Sequence, residues 1–191
     1  EAGVEVINGT NDYFFSTGAA LVAVRPGQTA NYSVDIARFG TYNKSVALSC
    51  SPNPPTTGTG CGIVPNPADF TSGTGPGTTA SLNVTTNSVT TLVGDYAFNF
   101  HGDDGNADLK DLALTLRVND FSINSATALQ TIEQGSSKTY TVTVTSLNSY
   151  GGTVTLSCAN FSSAGFSPAS CAFSQNNFVP AGAGTSVTVT L

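Results

Sequence analysis

DYFFSTGAALVAVRPGQTANYSVDIARFGTYNKSVALSC, residues Asp12 to Cys50, decides the fold once it is laid beside DFSINSATALQTIEQGSSKTYTVTVTSLNSYGGTVTLSC, residues Asp120 to Cys158. The two stretches align without a gap at an offset of about 108 residues, an internal repeat that outranks any local signal. Leu21 matches Leu129, Gly27 matches Gly135, Tyr32 matches Tyr140, and Val34 matches Val142. Further along, Tyr42 matches Tyr150, Val46 matches Val154, Leu48 matches Leu156 and Cys50 matches Cys158. Matches on alternating positions are what the shared buried face of a strand selects. A period this long, holding several strands, predicts two whole domains rather than solenoid turns.

The strands follow from alternation of apolar and polar residues. Tyr32, Val34 and Ile36 point one way in the first copy, as do Tyr140, Val142 and Val144 in the second. Val46, Leu48 and Cys50 predict the next strand, matched by Val154, Leu156 and Cys158. Leu82 with Val84, then Tyr96, Phe98 and Phe100, then Leu112, Leu114, Leu116 and Val118 predict three more. Turn clusters such as SPNPPTTGTG and TSGTGPG separate them, with Gly supplying positive φ and Pro fixing negative φ. No stretch sustains a helical period. The expectation is an all-β chain with about seven short strands per copy.

These residues resemble a known family. Gly135 to Thr145 (GSSKTYTVTVT), Gly152 to Cys158 (GTVTLSC) and Cys171-Ala-Phe173 are similar to the bacterial Ig-like repeats of large secreted and cell-surface proteins. In the first copy, Gly94 to Phe100 (GDYAFNF) and Leu112 to Val118 resemble that family's closing hairpin. The resemblance covers nearly the whole chain. It implies tandem immunoglobulin-like β-sandwiches, and it says little of function, because such folds serve many hosts.

The domain boundaries expected are 1–11 as an N-terminal strand or the tail of a preceding repeat, 12–118 as the first Ig-like domain, and 119–191 as the second. The second is expected to be incomplete, lacking its last two strands, because it stops at SVTVTL. Val4 and Val6 alternate like a last strand with no complete domain before them, and they mark a segment for strand complementation. The sequence is thus expected to be either a window of a longer tandem array or a protomer whose missing strands come from a neighbour. An open sandwich of the latter kind would polymerise head to tail into a filament.

Composition bounds the partners. Hydrophobic residues make up 39 % and charged residues only 9 % of the 191, against about 25 % charged in ordinary domains. The net charge of −6 and the scattered cations Arg25, Arg38, Lys44, Lys110, Arg117 and Lys138 argue against nucleic acid. No apolar run reaches the roughly 20 residues of a bilayer span. The chain opens EAGVEVING without the features of a signal peptide, and Met is absent, so a processed or excised piece is expected.

The four Cys allow three pairings, and the repeat favours Cys50 with Cys61 and Cys158 with Cys171, each inside its own copy. Cystines imply an oxidising, extracellular or cell-surface location. A four-Cys zinc site fits poorly, since neither spacing is CxxC and the pairs lie in separate copies.

Catalysis fails on inventory, and no enzyme is expected. His101 is the only His, and Glu occurs only at positions 1, 5 and 133. The motifs GxSxG, HExxH, GxGxxG and the P-loop are all missing from the sequence. His101 opens the hairpin HGDDGNADLKD, where a solvated turn residue is expected. No resident cofactor is expected; the one candidate ion is Ca²⁺. Asp103, Asp104, Asn106 and Asp108 would supply oxygens at that hairpin, with Gly105 for the bend and Asp111 as a further ligand. The plain alternative is a polar hairpin tip.

Sequons stand at Asn8, Asn31, Asn43, Asn83 and Asn160, and alternation turns Asn31 and Asn83 to solvent. Tyr13, Phe14 and Phe15 form the densest aromatic cluster, better explained by a buried first strand than by a sugar platform, and Trp is absent. The sequence therefore predicts a non-enzymatic structural or adhesive protein: a repeat module of a surface stalk, or a filament protomer. Its partners would be copies of itself or neighbouring repeats. The alternative is a carbohydrate-binding accessory module of a secreted enzyme, with surface glycans as partners.

Overall fold

The computed structural model describes residues 11–53, 55–73, 75–106, 109–126, 131–133, 135–158 and 170–191. Val4, Val6, Asn8, Asp108 and Asn160 lie outside these residues. The chain divides into two compact units, Glu1–Val118 and Asn119–Leu191. Every regular element among the described residues is a β-strand.

Among its described residues the first unit has nine strands: β1 (Asp12–Thr17), β2 (Leu21–Val24), β3 (Thr29–Phe39), β4 (Ser45–Ser51), β5 (Thr59–Val64), β6 (Ala68–Asp69), β7 (Gly77–Thr86), β8 (Gly94–Asp103) and β9 (Leu109–Val118). One sheet has the order β1-β3-β7-β5 and the other β2-β9-β8-β4-β6. The first strand is split between them. β1 pairs antiparallel with β3, Gly18, Ala19 and Ala20 carry the chain across, and β2 pairs parallel with β9.

Alternation turns one face of each sheet inward. Tyr32, Val34 and Ile36 on β3 and Leu82 and Val84 on β7 are buried from one side. Val46, Leu48 and Cys50 on β4, Phe98 and Phe100 on β8, and Leu114, Leu116 and Val118 on β9 meet them from the other. The ring of Tyr32 stands edge-on to Phe98 at 5.8 Å, and Phe15 edge-on to Phe100 at 5.0 Å, so the two sheets share a single core. Each large side chain so buried contributes about 1.5–3 kcal/mol before chain entropy is subtracted. The cystine Cys50–Cys61 ties β4 in one sheet to β5 in the other.

The second unit has β10 (Asp120–Ser125), β11 (Thr139–Leu147), β12 (Val154–Thr155), β13 (Ala172–Phe173), β14 (Asn177–Phe178) and β15 (Thr185–Thr190). Its sheet order β10-β11-β15-β13 repeats β1-β3-β7-β5, and its small β12–β14 sheet repeats the β4–β6 pairing. The registers repeat too. Asp12 opposes Phe39 and Asp120 opposes Leu147; Val46 opposes Ala68 and Val154 opposes Phe178. The two cystines enclose slightly different loops, with separations of 11 and 13 residues.

One element falls short of expectation. The run Val154 to Cys158 is strand only at Val154 and Thr155, whereas its counterpart β4 is strand from Ser45 to Ser51. β4 is held along its length by β8, from Ala47 opposite Asp103 to Ser51 opposite Asn99. β12 has only β14 as its partner among the described residues. A strand extends only as far as a neighbour accepts its hydrogen bonds.

Candidate functional site

Local geometry repeats at the positions the two copies share. Pro26 and Gly27 (φ 87°) fill a turn closed by the Gln28 amide donating to the Arg25 carbonyl at 3.0 Å. Gly135 (φ 85°) stands in the matching turn, closed by Ser136 donating to Glu133 at 3.0 Å. Positive φ at the third turn position is why Gly recurs there. The Thr17 hydroxyl donates to the Ser33 carbonyl at 2.9 Å, and the Ser125 hydroxyl donates to Thr141 at 3.3 Å. Tyr13 packs on Tyr42 with ring centres 5.3 Å apart, and Phe121 on Tyr150 at 5.5 Å. Tyr42 and Tyr150 are thus packing residues for the first strand of each copy.

The aromatic cluster is largely committed to the interior. Tyr13 is 1 % exposed, which leaves its ring no face for a sugar to stack on, and the partly buried Phe15 packs against the core.

The acidic hairpin disperses its carboxylates. Asp103 Oδ1 accepts the Gly105 amide at 2.7 Å, and Asp104 Oδ1 accepts the Asn106 amide at 2.9 Å. The Asp104 side chain is 1 % exposed, and its Oδ2 lies 2.9 Å from Lys44 Nζ and 3.4 Å from the Tyr42 hydroxyl. Burial pushes the Asp104 carboxyl upward, but Lys44, the Asn106 amide and Tyr42 together outweigh it and hold it below the ordinary carboxylate range. Asp111 turns to His101 instead, its Oδ1 2.7 Å from Nδ1. His101 is therefore a cross-strand partner on β8, opposite Asp111 on β9, rather than the turn residue expected, and its side chain stays 26 % exposed. Among the described residues, no three His, Cys, Asp or Glu side chains gather as metal ligands would.

Other contacts gave no signal in the sequence. Asp12 Oδ2 lies 3.2 Å from Lys110 Nζ, with the side chains 7 % and 12 % exposed, joining the first residue of β1 to β9. The Tyr32 hydroxyl crosses from β3 to donate to the Thr115 carbonyl on β9 at 2.8 Å. Arg117 grips Asp95 with two bonds of 2.9 and 2.6 Å across β8 and β9.

The described sequons, Asn31, Asn43 and Asn83, are exposed, and Asn31 faces Asn83 directly across β3 and β7. Both cystines are formed, the pairing expected from the repeat. Cystines fit an oxidising, extracellular-like environment. No helix among the described residues is long and apolar enough to cross a membrane. No protein-family model matches the chain, and no curated protein is similar enough to count as a relative.

Proposed function

We propose that the chain comprises two consecutive immunoglobulin-like sandwich repeats that serve as a non-enzymatic structural or adhesive module outside the cell, in a surface stalk or filament. The observation that carries this reading is the repetition of strand order, register, turn and cystine between the two units. Repetition of a whole domain multiplies length and surface without adding a site, which is what a spacer requires. The buried aromatics and the dispersed carboxylates favour a packing role for the residues most able to do chemistry. Low charge lets neighbouring copies approach without strong repulsion.

The test is to locate the native protein. Surface labelling of intact cells with a membrane-impermeant reagent, followed by negative-stain microscopy of the labelled material, should show an exposed rod or fibre. Recovery of the protein only from the cell interior with reduced thiols would refute the proposal.

A further inference from the structure

Among the described residues, β5 closes one sheet of the first unit with β7 as its sole strand partner. The Thr86 amide donates to the Gln28 carbonyl on the β3 side, so Val84 and Leu82 also turn their backbone groups toward β3. Thr85, Asn83 and Ser81 then face β5 and bond it through Gly60, Gly62 and Val64. Thr59, Cys61 and Ile63 are left with their backbone groups pointing outward. The Thr59 amide donates to the Thr56 carbonyl at 3.2 Å. The Thr59 carbonyl and the backbone groups of Cys61 and Ile63 form an open edge among the described residues. The Cys50–Cys61 cystine ties this edge strand to β4 from the inner face.

The other edges of the unit are blunted, as edges of stable monomers are. On β1 the Asp12 carboxylate caps the Tyr13 amide at 2.7 Å, and β2 and β6 are only four and two residues long. β5 carries neither charge nor proline over its six residues. No Asp, Glu, Lys, Arg or His stands between Lys44 and Asp69, or between Asp69 and Asp95. A chain of net charge −6 thus keeps an uncharged edge where two copies can meet without repulsion.

We propose that β5 is the surface through which two copies of this chain pair, antiparallel about a two-fold axis at Cys61. That register sets outward backbone groups against outward backbone groups. Cys61 exchanges both bonds with Cys61 of the second copy, and each Ile63 amide donates to a Thr59 carbonyl. Gly60 falls across from Gly62, so no side chain obstructs the outer face. Val64, 67 % exposed, falls opposite Gly58 of the second copy. The Thr91 hydroxyl donates to the Gly58 carbonyl at 2.9 Å, which fixes the loop 87–93 at that end of the strand. Val89 and Leu92 on this loop are 84 % and 71 % exposed. The edge therefore has apolar groups at both ends, and the two-fold brings unlike ends together. This pairing goes beyond the structural role inferred above and does not depend on it.

Sedimentation of the purified full chain over a range of concentrations tests this. An edge contact of this extent predicts a weak, reversible dimer. A Cβ at Gly62 meets only the Asn83 carbonyl oxygen, at 3.9 Å, so the fold has room for a side chain there. Gly62→Lys sets two cations diagonally across the two-fold and should raise the dimer dissociation constant at least about tenfold. Val64→Lys, at an already exposed position, should do the same. Gly62→Glu should also weaken pairing alone, and an equal mixture of Gly62→Lys and Gly62→Glu chains should pair again. Gly18→Lys, where a Cβ meets nothing within 4 Å, should leave the dimer intact. A chain that stays monomeric up to about 1 mM would overturn the proposal. So would a dimer indifferent to both Lys variants on β5, or a mixture that pairs no better than its parts. Any of these in a chain found on a surface stalk would leave the structural role standing. Charge-restored pairing in a chain found only inside cells would do the reverse.

Discussion

The Tyr32 hydroxyl and the Thr115 carbonyl, 83 residues apart in the chain, meet at 2.8 Å between the two sheets of the first unit. Tyr32 is 3 % exposed, and burial, opposed by a hydrogen bond with the Val22 backbone, pushes its phenol up to about 12 from an ordinary 10.0. The folded form then holds its proton at pH values where the unfolded chain has lost it. The stabilisation is complete below pH 10 and is lost as pH rises toward 12, by up to roughly 2 kcal/mol. Tyr32→Phe should cost about 1 kcal/mol at pH 7 and flatten the alkaline limb of the urea midpoint against pH.

Gly102 has no room for a side chain. A Cβ there would lie 2.5 Å from Phe15 Cζ and 3.1 Å from Val46 Cγ1. Phe15 is itself held edge-on to Phe100, so it cannot yield cheaply. Gly102→Ala should destabilise by about 1–3 kcal/mol, seen as a lower urea midpoint with an unchanged slope. Gly18→Ala, where a Cβ meets nothing within 4 Å, should change the midpoint little.

Asp104 links acid stability to the hairpin. Because its carboxyl is held below the ordinary value when folded, its contribution is present above that value and disappears as pH falls through the depressed one. Asp104→Asn should cost about 1–2 kcal/mol near pH 7, a modest figure because Lys44 is 44 % exposed and can return to water. The gap between variant and parent should close below pH 4, measured by chemical denaturation across pH.

Each cystine closes a short loop, and each should be worth roughly 3 kcal/mol in the chain-entropy treatment. Replacing Cys50 and Cys61 by Ala should lower the stability of the first unit. Replacing Cys158 and Cys171 should leave that transition in place, which calorimetry of the two double variants would show.

Much of the core was legible because it is periodic. Tyr32, Val34 and Ile36 alternate without interruption, and all three are buried in the structure. The cystine pairing was legible from repetition alone. The crossing of the first strand was not. LVAV at Leu21–Val24 carries no alternation that separates a partly exposed edge strand from the run before it, and its parallel pairing with β9 depends on residues more than 90 positions away. The ion pairs were invisible for the same reason: Asp12 with Lys110 and Lys44 with Asp104 are made by topology, and a single sequence records no topology. The shortening of the strand at Val154 came from the extent of its neighbours, which alternation does not report.

The measurement closest to the central claim is the cross-strand register of both units, read from inter-strand backbone proton contacts by nuclear magnetic resonance of the labelled chain. Repetition predicts contacts between Val34 and Ala80 in one unit and between Val142 and Val187 in the other, together with Asp12 to Phe39 and Asp120 to Leu147. A one-residue slip turns every inward side chain to the outside. Contacts displaced by one residue in the second unit, or missing from it, would contradict the account.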